Sequence, residues 1–321
     1  MSTMRAVLFD RYGDPDELHV DTLPRPELRA GGVVVRVEAA SVNGADLLLR
    51  SGRLGILTGR RFPKQIGIDF VGSLVTAHPE ADLSGVSVGS RVWGTVADRG
   101  GSLAEFVGIP STQIAAAPKN LTSLEAVTLL AGGTTSYTGL VQKARLQPGE
   151  RVLIRGAAGG VGSVAIQLAK ASGAHVTALA AAASLDFVLG LGADVARDYR
   201  TTTLEDLGNF DVIFDTNGSR LLAFRRLLAP GGRMVSIAFD RKAPVRSLLA
   251  IAGSAVFGRR RIRFFMGKPT RNDFQRLTEQ VELGGIRPVI DRVFSLAQSA
   301  DAHAALENHG IQGKVVISIS E

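Results

Sequence analysis

Two hydrophobic rhythms divide the chain. From about residue 151 onward, short apolar runs alternate with amphipathic stretches at helical spacing. The clearest unit is a β-branched run at 151–155, then Gly156-Ala157-Ala158-Gly159-Gly160-Val161-Gly162, then Val164, Leu168 and Ala171 at helical spacing. Strand, tight turn and helix in that order aim backbone N–H groups and the positive end of a helix dipole at one point, where an anionic pyrophosphate belongs. Further strands are predicted at 175–180, 211–215 and 232–237, the last after a helical 221–228 and a Pro230-Gly231 turn. Apolar strands alternating with helices specify an α/β doubly wound parallel sheet. The alternative for 159–162 is a tight strand-to-helix turn that holds nothing.

Before residue 122 the rhythm is different. Runs compatible with strands fall at 4–9, 18–20, 32–40, 67–75, 89–94 and 100–107, with turn residues between them. A short helix is predicted at 45–50 and a loop at 54–61. Strands at close intervals read as a compact barrel-like domain. Near 121–126 the pattern turns helical, with Thr122 or Ser123 as N-cap and Glu125 in the first turn, which marks a domain boundary. After the sheet come a helix at 272–283, a strand at 289–294, a helix at 297–308 and a strand at 314–319.

Composition narrows the chemistry. The 321 residues are 45% hydrophobic and 21% charged, as in an ordinary globular protein long enough for two domains. There is no cysteine, which excludes disulfides, thiol nucleophiles and cysteine zinc sites. The start lacks a signal-peptide core, no apolar run reaches membrane-spanning length, and the longest late one, 247–257, is too short. The cytoplasm is therefore the expected compartment, with no membrane partner. The net charge of +7 is partly gathered in Arg259, Arg260, Arg261 and Arg263, with Lys268 and Arg271 beyond. Beside Phe264 and Phe265 such a cluster could hold single-stranded nucleic acid, but one short cluster is a poor footprint, and a basic loop is preferred.

Several ordered stretches resemble the medium-chain dehydrogenases/reductases, specifically the zinc-independent quinone oxidoreductase branch that includes zeta-crystallin. They are 39–46 (Ala-Ala-Ser-Val-Asn-Gly-Ala-Asp) with Arg50-Ser51-Gly52, 67–72, 88–92, 101–106, the 157–162 turn and Gly313-Lys314-Val315-Val316. The resemblance implies a GroES-like β-barrel catalytic domain at 1–122, completed by 266–321, and a Rossmann domain at 123–265. It also implies a cofactor held between them and a homodimer. Zinc alcohol dehydrogenases of the same superfamily place a histidine and a glutamate after the glycine equivalent to Gly67. Here Ile68 and Asp69 stand there, and His19, His78, His175, His303 and His309 lack ligand spacing and read as surface or loop residues. The resemblance thus implies hydride transfer without metal, to a quinone or an α,β-unsaturated carbonyl.

The cofactor follows from the second strand. Where NAD enzymes carry an acid for the ribose 2′-OH, this chain has Ala180 to Ala183 and Ser184, and the first acid is Asp186. That favours NADPH. Members of the resembling family that use NADP often have lysine where Ser184 stands. Tyr199 matches their phosphate-facing tyrosine, with Arg197 or Arg200 to supply charge; packing of the sheet edge is its other reading. The same resemblance brings Asn43 and Thr135 to the nicotinamide and its ribose, though Asn43 could cap the helix at 45 and Thr135 could bond its own helix. Ala158, Gly159, Gly160, Val161 and Gly162 would line the pyrophosphate, and Asn217, Ser236, Ile237 and Ala238 end parallel strands where a dinucleotide lies. Lys314 occupies the family's cofactor-mouth position; an exposed lysine before a strand is the plainer alternative.

Leu48 and Leu54 are expected to wall a small-molecule substrate, with Phe265 and Met266 closing the pocket or packing the core. Asn43, a backbone N–H or water would meet the developing oxyanion. Asp46 and Tyr137 are candidate proton donors by position. Two further readings stand beside quinone reduction: an alkene reductase acting on enones or enoyl thioesters, and a non-catalytic RNA binder resting on the 259–271 stretch.

Overall fold

The computed structural model describes residues 2–96, 100–240, 243–256, 260–308 and 310–319. The chain divides into two compact units, one of Met1–Ala131, Lys268–Gly284 and Pro288–Glu321, the other of Gly132–Gly267 and Gly285–Arg287. The helix Ser123–Ser136 starts where the sequence pattern turns helical, opened by Thr122 and Glu125 bonding reciprocally, and the division falls inside it.

The second unit holds a parallel sheet whose strands are labelled here in chain order: β1 Arg151–Arg155, β2 His175–Ala180, β3 Val195–Asp198, β4 Phe210–Asp215, β5 Leu228–Ser236 and β6 Ile262–Phe264. Their spatial order is β3-β2-β1-β4-β5-β6, so the order reverses beside β1, where ligands of open parallel sheets bind. Buried Leu153, Ile213, Phe210, Phe224, Leu228 and Met234 form its core. Two details differ from the sequence pattern. The helix after β4 is only Leu221–Arg225, and β5 runs through Pro230-Gly231, which lie where the β4–β5 register shifts. Strands β3 and β6, of four and three residues, are too short for their pattern to announce them, β6 lying inside the arginine-rich stretch.

In the first unit a seven-stranded sheet joins Gly32–Ser41, Asp69–Ala77, Arg91–Thr95, Phe106–Pro110, Ile114–Ala116, Ile290–Ser295 and Lys314–Ser318. A smaller sheet joins Thr3–Phe9, His19–Pro24 and Lys64–Gln65. The segment expected to open a strand at 100 instead stitches the two sheets together: Val7 N–H donates to Leu103 O at 2.8 Å and Val37 N–H to Glu105 O at 2.9 Å. One core of Val7, Phe9, Val35, Phe70, Ile114, Val315 and Ile317 fills the space they enclose. Within the expected loop 54–61, Gly55–Thr58 forms a helical turn, with the Tyr12 hydroxyl 3.0 Å from Thr58 Oγ1. Among the described residues no helix is long and apolar enough to cross a membrane.

Candidate active site

The glycine-rich turn leaves β1 with Gly156 at φ +70°. It is pinned on both sides: Ala157 N–H donates to Leu179 O on β2 (3.2 Å), and Thr216 N–H donates to Arg155 O (3.3 Å). The helix Gly162–Ala171 follows, and a Cβ at Gly162 would stand 2.7 Å from the Ala157 Cα, so only glycine lets helix and strand come this close. A Cβ at Gly132 would run into the Gly160 carbonyl, and Ser136 Oγ donates to Val161 O at 3.1 Å, so the Ser123–Ser136 helix packs on the turn. At Gly159, by contrast, nothing lies nearer than 3.6 Å. Ala158, Gly159, Gly160 and Val161 are half-buried on this cradle, which runs straight into the helix: Ser163 N–H donates to Gly159 O and Ala165 N–H to Val161 O, each at 2.9 Å. These residues fit a pyrophosphate.

The carboxyl ends of the strands bring together most of the other expected residues of this unit. Tyr199 N–H donates to Ala180 O (3.0 Å), placing Tyr199 beside the buried end of β2, where no acid stands. Its ring is half exposed and carries Arg200, whose Cζ is 5.5 Å from the ring centroid. Arg197 is exposed and acts on Asp206 instead, helping hold that carboxyl low, after its bonds from Thr203. Ser184 is buried and Asn217 exposed, with Asn217 Oδ1 accepting from Ser219 N–H. Ser236 is buried with its hydroxyl on Asp215 (2.8 Å), and Ile237 and Ala238 follow half-buried. Thr135 is half-buried, 3.9 Å from where a Gly267 Cβ would lie. Phe265 is buried, whereas Met266 is 66% exposed and so packs no core. Tyr137 is half-buried at the head of a π-helical turn, Tyr137–Lys143.

In the first unit the 41–46 stretch builds a buried polar cluster. Asn43 precedes the helix Gly44–Arg50, and its N–H donates to Asp46 Oδ2 at 2.8 Å. The Asn43 amide faces opposite charges: the Lys314 ammonium donates to Oδ1, while Nδ2 donates toward Asp69 Oδ1 and Ser41 O, each at 3.2 Å. Ser41 donates from Oγ and from N–H to Asp69. Lys314 is 5% exposed, which overturns the exposed-lysine alternative; burial pulls its ammonium down, opposed by Asp69 and Asp46. Asp46 is 1% exposed, its Oδ1 has no partner, and burial with the nearby Asp69 charge pushes its carboxyl up to about 7. Leu48 and Leu54 lie half-buried on the same stretch of chain. Sequence reasoning missed Ser41 and Asp69 as partners, because the cluster is closed by residues 28 and 271 positions apart.

Asp69 stands where a zinc-binding dehydrogenase has its glutamate, but both its oxygens accept from Ser41, and it is fully buried. Among the described residues no three histidine, aspartate or glutamate side chains group as metal ligands. His309 lies outside the described residues. His303 is not on the surface: it is fully buried in the helix Ser299–Glu307, and burial, aided by Arg50, drives its imidazole down to about 3. Its spacing from Ser299 and Ala302 puts it on the buried face. In the basic stretch, Arg260 donates to Arg226 O, Arg263 to Lys143 O, and Arg271 pairs with Asp82; Arg259 lies outside the described residues.

Residues 191–317 match the family model described as zinc-binding dehydrogenase, and residues 29–119 the alcohol dehydrogenase GroES-like domain. The chain is 30% identical to a 2-methylene-furan-3-one reductase of Solanum lycopersicum, over 98% of this chain and 79% of the relative. It is 29% identical to a chloroplastic NADPH-dependent alkenal/one oxidoreductase of Arabidopsis thaliana, over 98% and 79%. Among solved structures, the quinone oxidoreductase from Coxiella burnetii superposes with a TM-score of 0.91 at 27% identity, covering 99% of this chain and all of that one.

Proposed function

This chain belongs to the medium-chain dehydrogenase/reductase family, and on that premise we propose that it is a zinc-independent, NADPH-dependent reductase of quinones. The observation that carries the reading is the cradle at 156–162, where glycines admit the backbone to a pyrophosphate at a helix N-terminus. Bound NADPH supplies the hydride. Tyr199 and Arg200, beside a β2 end free of acids, offer the ring and the charge for a 2′-phosphate. Thr135, Phe265 and the 236–238 turn orient the ring end.

The polar cluster handles the charge that develops on the acceptor. Asn43 is held in one orientation by Lys314, Asp69 and Ser41, and the Lys314 ammonium it fixes is the group that favours an oxyanion. Asp46, bonded to the Asn43 N–H and with its carboxyl raised to about 7 by burial and Asp69, holds a proton far above the ordinary carboxylate range and is one candidate donor, with Tyr137 the other. Leu48 and Leu54 offer apolar surface on the first unit, and Met266 offers it on the second. Zinc independence is supported by the donor set: no cysteine in the chain, Ile68 where a histidine would be needed, and Asp69 committed to Ser41. A homodimer is part of the reading and rests on the family resemblance.

A second reading, reduction of activated alkenes, is favoured by the names of the two relatives described above. NADPH and NADH titrations by fluorescence quenching, followed by steady-state turnover on a panel of quinones and alkenals, test both. Tighter binding of NADPH and faster turnover of quinones are expected; turnover of alkenals alone moves the assignment to the second reading, and binding of neither nucleotide refutes both.

A further inference from the structure

Charged residues fully buried at the ends of apolar strands are uncommon, and this sheet has two of them in contact. Arg155 ends β1 and Asp215 ends β4, at 4% and 0% exposure. Arg155 Nη1 donates to Asp215 Oδ1 at 2.7 Å and to Ser219 O at 2.8 Å, Nη2 donates to Ser219 Oγ at 3.1 Å, and the guanidinium lies 3.6 Å over the Phe224 ring. Asp215 also accepts from the N–H groups of Asn217 (3.2 Å) and Gly218 (3.0 Å) and from Ser236 Oγ (2.8 Å). Both carboxylate oxygens therefore accept two bonds each, from three different strand ends. A group so enclosed has no capacity left to touch a ligand. It can only decide where its neighbours stand.

Those neighbours are the turns after β1, β4 and β5. Thr216 Oγ1 donates to Arg155 O at 2.8 Å, at the entrance of the 156–162 turn. Ser236 Oγ, whose one proton goes to Asp215, accepts from the Ala238 N–H at 3.4 Å. We propose that Arg155 and Asp215 are positioning residues for the dinucleotide: one buried ion pair sets the glycine-rich turn, the 216–219 turn and the 236–238 turn in mutual register. The inference rests on the reading of this unit as a dinucleotide site. It adds that the register is fixed by charge and not by packing alone.

Removing one partner of a buried pair leaves an uncompensated charge, whereas removing both relieves that penalty. The pair Arg155→Met, Asp215→Asn, made singly and together, separates stability from positioning. Asp215→Asn alone and Arg155→Met alone are expected to lower the melting temperature. The double variant is expected to recover most of it and still bind NADPH about 10-fold more weakly than wild type, since small misplacements of binding groups cost up to about 100-fold. Arg155→Lys keeps the charge but not the fork that reaches Asp215 and Ser219 together, and is expected to bind with intermediate affinity. NADPH affinity by fluorescence and unfolding by heat are read on each protein. Full affinity in the double variant, or in every variant that stays folded, overturns the inference while the dinucleotide reading stands. A wild-type chain that binds neither NADPH nor NADH overturns both.

Discussion

Lys314 donates its ammonium to the side-chain oxygen of Asn43, a residue 271 positions earlier, inside a cluster that also holds Asp46 and Asp69. Two carboxyls and one ammonium are balanced there only if one carboxyl keeps its proton. The raised Asp46 titration and its unpartnered Oδ1 agree with that arrangement.

Lys314→Met removes the cation and leaves the carboxyls facing each other. Lys314 bonds the neutral Asn43 amide and is drawn to Asp69 and Asp46 through space. Calorimetry is therefore expected to show a loss smaller than the ~3–5 kcal/mol of a buried ion pair broken from one side. With Asn43 no longer held from its oxygen side, kcat for a small quinone is expected to fall at least ~10-fold while NADPH affinity changes less. Unchanged kcat in a folded variant would remove Lys314 from the chemistry.

Asp46 gives a pH signature. Its carboxyl is raised in the folded chain, so the folded state holds the proton more tightly than the unfolded one. Stability therefore falls as pH rises from the ordinary carboxylate range to about 7, and the penalty is complete above that. Asp46→Asn, which keeps an acceptor for the Asn43 N–H, is expected to match wild type at pH 4 and exceed it at pH 8, by at most ~4 kcal/mol at about 1.36 kcal/mol per pKa unit. Denaturant unfolding at the two pH values checks the sign.

The two glycines of the turn differ in kind. Gly162→Ala forces a Cβ against the Ala157 backbone and is expected to cost at least ~3 kcal/mol and to abolish dinucleotide binding. Gly159→Ala meets no atom nearer than 3.6 Å and is expected to leave the melting temperature within a few degrees while weakening NADPH. Thermal melts with and without NADPH separate these outcomes.

Arg200→Ala is expected to weaken NADPH ~10-fold and leave NADH unchanged, the size of one charge-assisted hydrogen bond. Arg197→Ala, whose charge acts on Asp206, is expected to change neither. Parallel titrations with both nucleotides decide it.

Strands β1, β2, β4 and β5 and the glycine turn were legible in the sequence because each depends on neighbours within a few residues, and the missing cysteines because composition alone shows them. The lone Lys314 read as easily exposed as functional, since its burial is decided by pairing of Val316 with Ser41 and of Ile317 with Ala40. His303 misled for the same reason: a helix face is buried by what packs on it. Arg155 and Asp215 end the runs expected as strands at 151–155 and 211–215, and only the parallel register of β1 beside β4, which sets Arg155 opposite Asp215, reveals them as a pair.

The first unit is assembled from both ends of the chain, with the contiguous parallel sheet inserted between them. On the ribosome, the 39–41 end of Gly32–Ser41 therefore has one edge unpaired while some 270 later residues emerge, although Phe106–Pro110 already covers that edge at 32–36. Chains that stop short of Lys314 lack both the strand that pairs Val316 with Ser41 and the cation that meets Asn43, so a single truncation opens the sheet and strips the polar cluster of its positive charge.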